Sequence, residues 1–205
     1  MDEREKRLVG EQLEPGGRPK APGRLAILQR FVNTWNHEFP PDWDRLGTPE
    51  KATTWLTRAK VLPRGSNVTA AGAGRLRELR EAIRALAIAN HELGPPPPDA
   101  ITTIRREARL APLVAEVDAS GRTSLGPARP DLESAIANLM AVLHEAQLAG
   151  DWRRMKACRQ CEYVFFDRSK NRSAAWCAMS ICGNRTKNRA YRRRLAVTRS
   201  TRRSS

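Results

Sequence analysis

Cys158-Arg159-Gln160-Cys161, a spacer of fifteen residues, then Cys177-Ala178-Met179-Ser180-Ile181-Cys182: these two runs hold all four cysteines of a 205-residue chain. Two close pairs joined by a short span are what a tetrahedral metal site needs. Each pair delivers two thiolates from one tight turn, and the span lets the second turn fold back to close the shell. Four soft thiolates suit Zn2+, which asks for no redox change. A closed four-sulfur site leaves no coordination position for water, so the metal reads as structural rather than catalytic. Two disulfides or an iron–sulfur centre are the other chemistries open to the cluster. The charged start from Met1 to Arg7, with no apolar run behind it, lacks the form of a secretory signal. In the reducing cytoplasm this implies, clustered cysteines are more often ligands than disulfides.

Outward from the cysteines the sequence supplies the rest of a small module. Glu162-Tyr163-Val164-Phe165-Phe166-Asp167 is β-prone and is expected to leave the first cysteine turn as a strand. Trp176 is placed to pack over the metal, and Gly183 stands where a special backbone angle is affordable. A helix is expected from Asn184 to about Val197, with Arg185, Arg189 and Arg192 on one stripe and Lys187, Arg193 and Arg194 widening it.

Charge is concentrated in the same place. The formal net charge is +15 and the sequence pI about 10.9. From Asp151 onward sixteen Lys or Arg face three acids, whereas residues 1–150 hold twenty-one bases and nineteen acids. Such a ratio is too lopsided for a salt-bridged surface and points to a polyanionic partner. Asn184, Arg185, Lys187, Arg189, Arg192 and Arg193 are the residues expected to meet nucleic acid. Asn184 is equally suited to bracing the zinc turn. Aromatic stacking platforms for single strands are few on the basic side of Gly150, which favours double-stranded DNA over RNA. An RNA-binding or ribosome-associated zinc protein is the alternative.

The first 150 residues read as mainly helical. Residues 1–23, rich in Pro and Gly, are expected to form a disordered tail. Helices are expected from Arg24 to Trp35, from Thr48 to before Pro63, from Arg75 to Leu93, from Asp99 to Leu110 and from Asp131 to Ala149. Leu76, Leu79, Ile83 and Leu86 share one stripe, with Arg77, Glu78, Arg80, Glu81 and Arg84 off it. That stripe faces the core or pairs two subunits in a homodimer. Leu113–Val117 and Arg122–Leu125 flank Asp118-Ala119-Ser120-Gly121 as a β-hairpin. The fold class is therefore mainly α (α+β). It comprises a disordered tail (1–23), a helical domain with a small hairpin (24–150), a four-Cys zinc finger with a C-terminal basic helix (151–197) and a basic disordered tail (198–205).

At Trp176-Cys177 and Cys182-Gly183-Asn184-Arg185, together with the Phe165-Phe166-Asp167 run, the chain resembles the CGNR zinc finger. Upstream, Phe31-Val32-Asn33-Thr34-Trp35, the Pro49 to Leu56 segment and the Arg-rich helix at Arg75 to Arg84 resemble the ABATE domain of bacterial stress-induced transcription regulators. The resemblance implies a regulator on one polypeptide, with a sensing or assembly domain in front and a DNA-binding finger behind. Between Thr34 and Pro49 the chain departs from the family with Asn36-His37-Glu38 and Pro40-Pro41.

Enzyme signatures are missing from the sequence. His37, His91 and His144 each precede a Glu, but none has a second His four residues on. No Ser/His/Asp set and no glycine-rich phosphate loop can be picked out, so the chain is expected not to be an enzyme. Asn33, Thr34 and Trp35 are candidates for lining a ligand pocket. No apolar run reaches the roughly eighteen residues of a membrane span. A cytoplasmic, nucleoid-associated protein is expected.

Overall fold

A computed structural model describes residues 13, 14, 17–129, 131–189, 191 and 192. Its helices are α1 (Leu25–Val32), α2 (Pro49–Arg58), α3 (Ala70–Glu92), α4 (Pro98–Leu110) and α5 (Leu132–Leu148), followed by α6, helical at residues 184–189 and 191–192. Three two-stranded antiparallel sheets pair β1 (Leu13–Glu14) with β2 (Arg18–Pro19), β3 (Leu113–Val117) with β4 (Thr123–Pro127), and β5 (Met155–Ala157) with β6 (Val164–Phe166). The molecule is mainly α, as the periodicities require.

Helix α3 is the spine. Thr69 caps it, its hydroxyl accepting from the Gly72 amide at 3.0 Å, which satisfies one of the orphan donors of a helix start. The helix thus begins earlier than Arg75. Gly72 serves inside it, because a Cβ there would stand 2.7 Å from Leu132 of α5. Leu76, Leu79 and Ile83 are wholly buried, and Leu28 and Phe31 of α1 with Ile136 and Leu139 of α5 fill the same core. The leucine stripe is spent inside the domain and is not left over to pair subunits. Each such side chain contributes about 1.5–3 kcal/mol by leaving water.

Two arginines of α3 that sit off the apolar stripe are buried as well. Arg84 is 2% exposed and spreads its fork over the carbonyls of Val32 (2.8 Å), Trp35 (2.6 Å) and Glu162 (2.9 Å). Arg80 is 3% exposed and holds Asp44 at 2.6 Å. Periodicity reads both as solvated. They are instead polar ties, Arg84 joining the end of α1 and the segment after it to the first cysteine turn through carbonyls, and Arg80 holding the Asp44 carboxylate of that segment.

The hairpin β5–β6 joins the two halves of the chain. Side chains alternate across a strand. Val164 and Phe166 enter the large core with Met155 and Ala157, while Phe165 enters a second cluster built on the cysteines. One three-residue strand is therefore floor to both, and the boundary expected at Gly150 lies within continuous packing: Trp152 also belongs to the large core.

The tail expected to residue 23 is ordered in its described part. Ala21 is 2% exposed and its amide donates to the Gln29 carboxamide at 2.7 Å. Gln29, wholly buried, returns a bond to the Pro19 carbonyl at 2.9 Å. Composition alone misses this because the partners are supplied by α1. The tail residues 198–205 lie outside the described residues.

Candidate metal centre

Cys158 and Cys161 are carried by the turn that leaves β5. The Glu162 amide donates to the Cys158 carbonyl at 2.8 Å and the Cys158 amide to the Tyr163 carbonyl at 3.0 Å. Glu162 turns the chain with φ 56°, a left-handed conformation that costs a non-glycine residue about 1–2 kcal/mol. Cys177 precedes, and Cys182 lies within, a single π-helical turn, Met179–Gly183, in which the Cys182 amide donates to the Ala178 carbonyl at 3.0 Å. The two turns are stitched together where the Arg159 amide meets the Ala175 carbonyl at 3.2 Å.

All four sulfurs are buried and lie within 4.8 Å of one another. Cys161 is 3.8 Å from Cys177, Cys177 is 3.7 Å from Cys182, and Cys182 is 3.5 Å from Cys161. A tetrahedron with zinc–sulfur bonds of about 2.3 Å has edges of about 3.8 Å. The cysteines are free, not bonded in pairs. Their protonation is mutually strained: hydrogen bonds from Cys161 and Cys177 pull the Cys158 thiol far down, the same contact with Cys158 pushes Cys161 up, and burial pushes Cys182 up to about 12. A divalent cation removes that conflict by making all four thiolates at once. Donor type, number and spacing thus fit zinc.

Around the sulfurs stands a supporting shell that the sequence did not disclose. Arg18 lies over the Tyr163 ring at 4.4 Å, and its Nε donates to Cys177 Sγ at 3.4 Å. Such partners orient a ligand and offset the negative charge that four thiolates leave on a dication. Nothing in the sequence around Arg18 signals this, because its partner is 159 residues away. Asp167 organises the span between the ligand pairs. It accepts from the Ser169 amide (2.9 Å), the Ser169 hydroxyl (2.6 Å) and the Ala174 amide (3.1 Å), and pairs with buried Lys156 at 2.9 Å. Burial pushes its pKa up, but the Ser169 bonds and the Lys156 charge outweigh that and hold it below the ordinary carboxylate value. Trp176 packs against the cysteine cluster as expected. Gly183 does not supply a left-handed angle, and the crowding around it comes mainly from the movable end of half-exposed Met179. It is not among the positive-φ glycines, and a Cβ would stand 2.5 Å from Met179 Sδ and 3.3 Å from the Trp176 ring.

Helix α6 springs from the last ligand. The Thr186 hydroxyl donates to the Cys182 carbonyl at 3.0 Å. Asn184, Arg185, Lys187, Arg189 and Arg192 are all exposed, and no acid follows Asp167 in the sequence. Arg193 lies outside the described residues, as do Arg194 and the remainder of the helix expected to Val197. Two of the cations have protein partners: Arg185 meets Glu38 at 3.1 Å, and Arg189 donates to Gln160 Oε1 at 3.4 Å.

The three residues expected to line a pocket are structural ties. Asn33 Nδ2 donates to the Val164 carbonyl at 2.7 Å, and its Oδ1 accepts from the Val164 amide at 2.8 Å. Thr34 bonds the Phe31 carbonyl at 2.8 Å, and Trp35 Nε1 donates to the Pro40 carbonyl at 3.3 Å. The neighbouring groove beneath α2 includes none of the three. Asn33 is spent on β6, and Thr34 and Trp35 on the end of α1 and the segment that follows it. His91 is also a tie, its Nδ1 lying 2.7 Å from the Ala157 carbonyl.

Among the described residues no helix is long and apolar enough to cross a membrane. The family model of the ABATE domain, whose description reads "Putative stress-induced transcription regulator", matches residues 25–160, and that of the CGNR zinc finger matches residues 154–195. The two matches overlap at residues 154–160, which hold β5 and the first ligand, Cys158. No curated protein matches the chain.

Proposed function

We propose, for a chain that belongs to the ABATE family and carries a CGNR zinc finger, a zinc-dependent DNA-binding transcription regulator. It acts on double-stranded DNA in the cytoplasm, at the nucleoid, and is not an enzyme. One observation carries the reading: a helix bearing only cationic and neutral exposed side chains starts directly at a buried metal ligand. Bound zinc would supply a fixed anchor for both cysteine turns. The chain's own residues do the rest. Cys182 and Thr186 set the helix start, and Arg185, Lys187, Arg189 and Arg192 present guanidinium and ammonium groups to phosphates. A guanidinium on this face also suits bidentate contact with guanine in the major groove. The helical domain serves as the sensing or assembly part and holds the finger through β5–β6.

The test is fluorescence anisotropy with duplex DNA, single-stranded RNA and structured RNA at fixed salt, with and without a zinc chelator. The expected result is preference for duplex DNA, lost on chelation, with a log–log salt slope near about −5 to −7 if six to eight cations meet phosphates. Tighter binding to structured RNA would instead support the ribosome-associated alternative.

A further inference from the structure

Two open grooves on the helical domain meet along the end of α2. The first, about 980 Å³, lies beneath α2 and the turn from Asp42 to Arg45, with Trp43 and Trp55 among its walls and Ile27 and Ala59 among its apolar lining. The second, about 730 Å³, is lined by Arg58, Lys60, Arg64 and Arg129 and by no carboxylate. Arg58 and Lys60 line both.

The indoles differ in exposure. Trp55 packs on Phe31 at 5.9 Å and is partly buried against the core. Trp43 is 62% exposed, stacks on exposed Phe39 at 5.6 Å with 19° between the rings, and lines the groove. The carboxylates of the first groove are Asp42, Asp44 and Glu50. Asp44 is committed to Arg80 and to the Leu46 amide, while Asp42 and Glu50 are exposed at the rim. Arg30 is paired with Glu14. Arg45, Arg58, Lys60, Arg64 and Arg129 form no ion pair among the described residues. The result is an aromatic compartment that opens into a cationic one.

We propose that this double groove binds a mononucleotide, its flat ring against Trp43 and its phosphates on Arg58, Lys60, Arg64 and Arg129. A ring alone would not use the second groove, and a simple anion would not use the first. An exposed indole face and a carboxylate-free cluster of cations, joined through two shared residues, match a ligand with a π-face at one end and negative charge at the other. The site stands whether or not α6 meets DNA.

The experiment titrates zinc-loaded full-length protein with the four ribonucleoside triphosphates, with adenosine and with inorganic triphosphate, reading tryptophan fluorescence and heat. At least one nucleotide should bind saturably, at least tenfold tighter than adenosine or inorganic triphosphate. Trp43→Ala and the double variant Arg58→Ala/Lys60→Ala should each weaken it at least tenfold. All three side chains are exposed, and unchanged thermal melting checks their folding. Arg185→Ala/Arg189→Ala/Arg192→Ala should leave nucleotide binding unchanged, which separates this groove from the finger. The proposal is overturned by the absence of saturable binding below millimolar nucleotide. It is equally overturned if inorganic triphosphate binds as well as the nucleotides, or if binding follows the α6 variant and ignores Trp43.

Discussion

Asn33 completes the edge of a β-strand. Its carboxamide offers Val164 one donor at 2.7 Å and one acceptor at 2.8 Å, the pair that a neighbouring strand residue would have offered. A side chain at the C-terminal cap of α1 thereby closes β6, whose other edge is taken by β5. The strand that leaves the first cysteine turn is fixed from the helical domain, which argues against a finger hung on a linker.

Replacing Asn33 with Leu keeps the volume and removes both bonds. The Val164 carbonyl keeps Gln29 Nε2 at 3.3 Å, but the Val164 amide is orphaned beside a core residue. The expected loss is about 1–3 kcal/mol, read as a lower midpoint in urea with unchanged slope. Asn33→Asp should lose at least as much, because a carboxylate oxygen then faces the Val164 carbonyl. A denaturation midpoint unchanged in both variants would show that the pairing is ornamental.

Zinc removal should not release the whole finger. Val164 and Phe166 are buried in the main core and owe nothing to the metal, whereas the turns at 158–162 and 177–183 take their apolar packing from the small cysteine cluster and are tied to the rest by polar contacts, among them those from Arg84 and Arg18. Chelation, or Cys177→Ser, should therefore abolish metal binding and raise hydrogen exchange at 158–162 and 174–189. Amides of β5, β6 and α3 should keep most of their protection, and helical circular dichroism should fall only slightly. Loss of protection throughout 155–166 would mean that the ion, not the shared strand, holds the halves together.

How much of this was legible in the sequence depended on whether the partner was local. The cysteine spacing gave the ligands, and the apolar stripes gave α3 and α5, because each is written within a few turns of chain. The hairpin was likewise readable from Asp118 to Gly121 between two β-prone runs. A helical wheel places Arg84 and Arg80 off the apolar stripe by angle and cannot see the Trp35 carbonyl or the Asp44 carboxylate that a distant loop brings to them. Arg18 and Asn33 were hidden for the same reason, since their partners are 159 and 131 residues away. In sequence Asp167 stands only as the end of an aromatic-Asp run, and its work on Ser169, Ala174 and Lys156 exists only in the fold.

Asp167→Asn tests that work. Asparagine can still accept from Ser169 through its one oxygen, so the change replaces the oxygen that holds the Ala174 amide and Lys156 and deletes the charge opposite Lys156, which is 6% exposed. Removing one partner of a buried pair costs about 3–5 kcal/mol. The folded-state pKa of Asp167 is depressed. Its contribution is therefore full above the unfolded value near about 4 and is lost only as pH falls through the lower folded value. The deficit of the variant, measured by thermal melting with zinc in excess, should be constant between about pH 6 and 8. A deficit that varied steeply across that window would point to another titrating group.

Glu38 and Arg185 supply the last test, which rests on the proposed DNA contact. They meet at 3.1 Å with side chains 31% and 58% exposed, so the pair is worth at most about 1 kcal/mol. DNA must displace Glu38 before Arg185 can reach a phosphate or a base. Glu38→Gln should then tighten duplex binding by about two- to fivefold, while Arg185→Ala should weaken it and reduce the salt slope by about one. If Glu38 acts only by holding that guanidinium, the double variant should bind like Arg185→Ala alone. A gain from Glu38→Gln that survives in the Arg185→Ala background would assign the effect to the general field of the carboxylate, not to this contact. Anisotropy titrations of the four proteins at two salt concentrations separate the two cases.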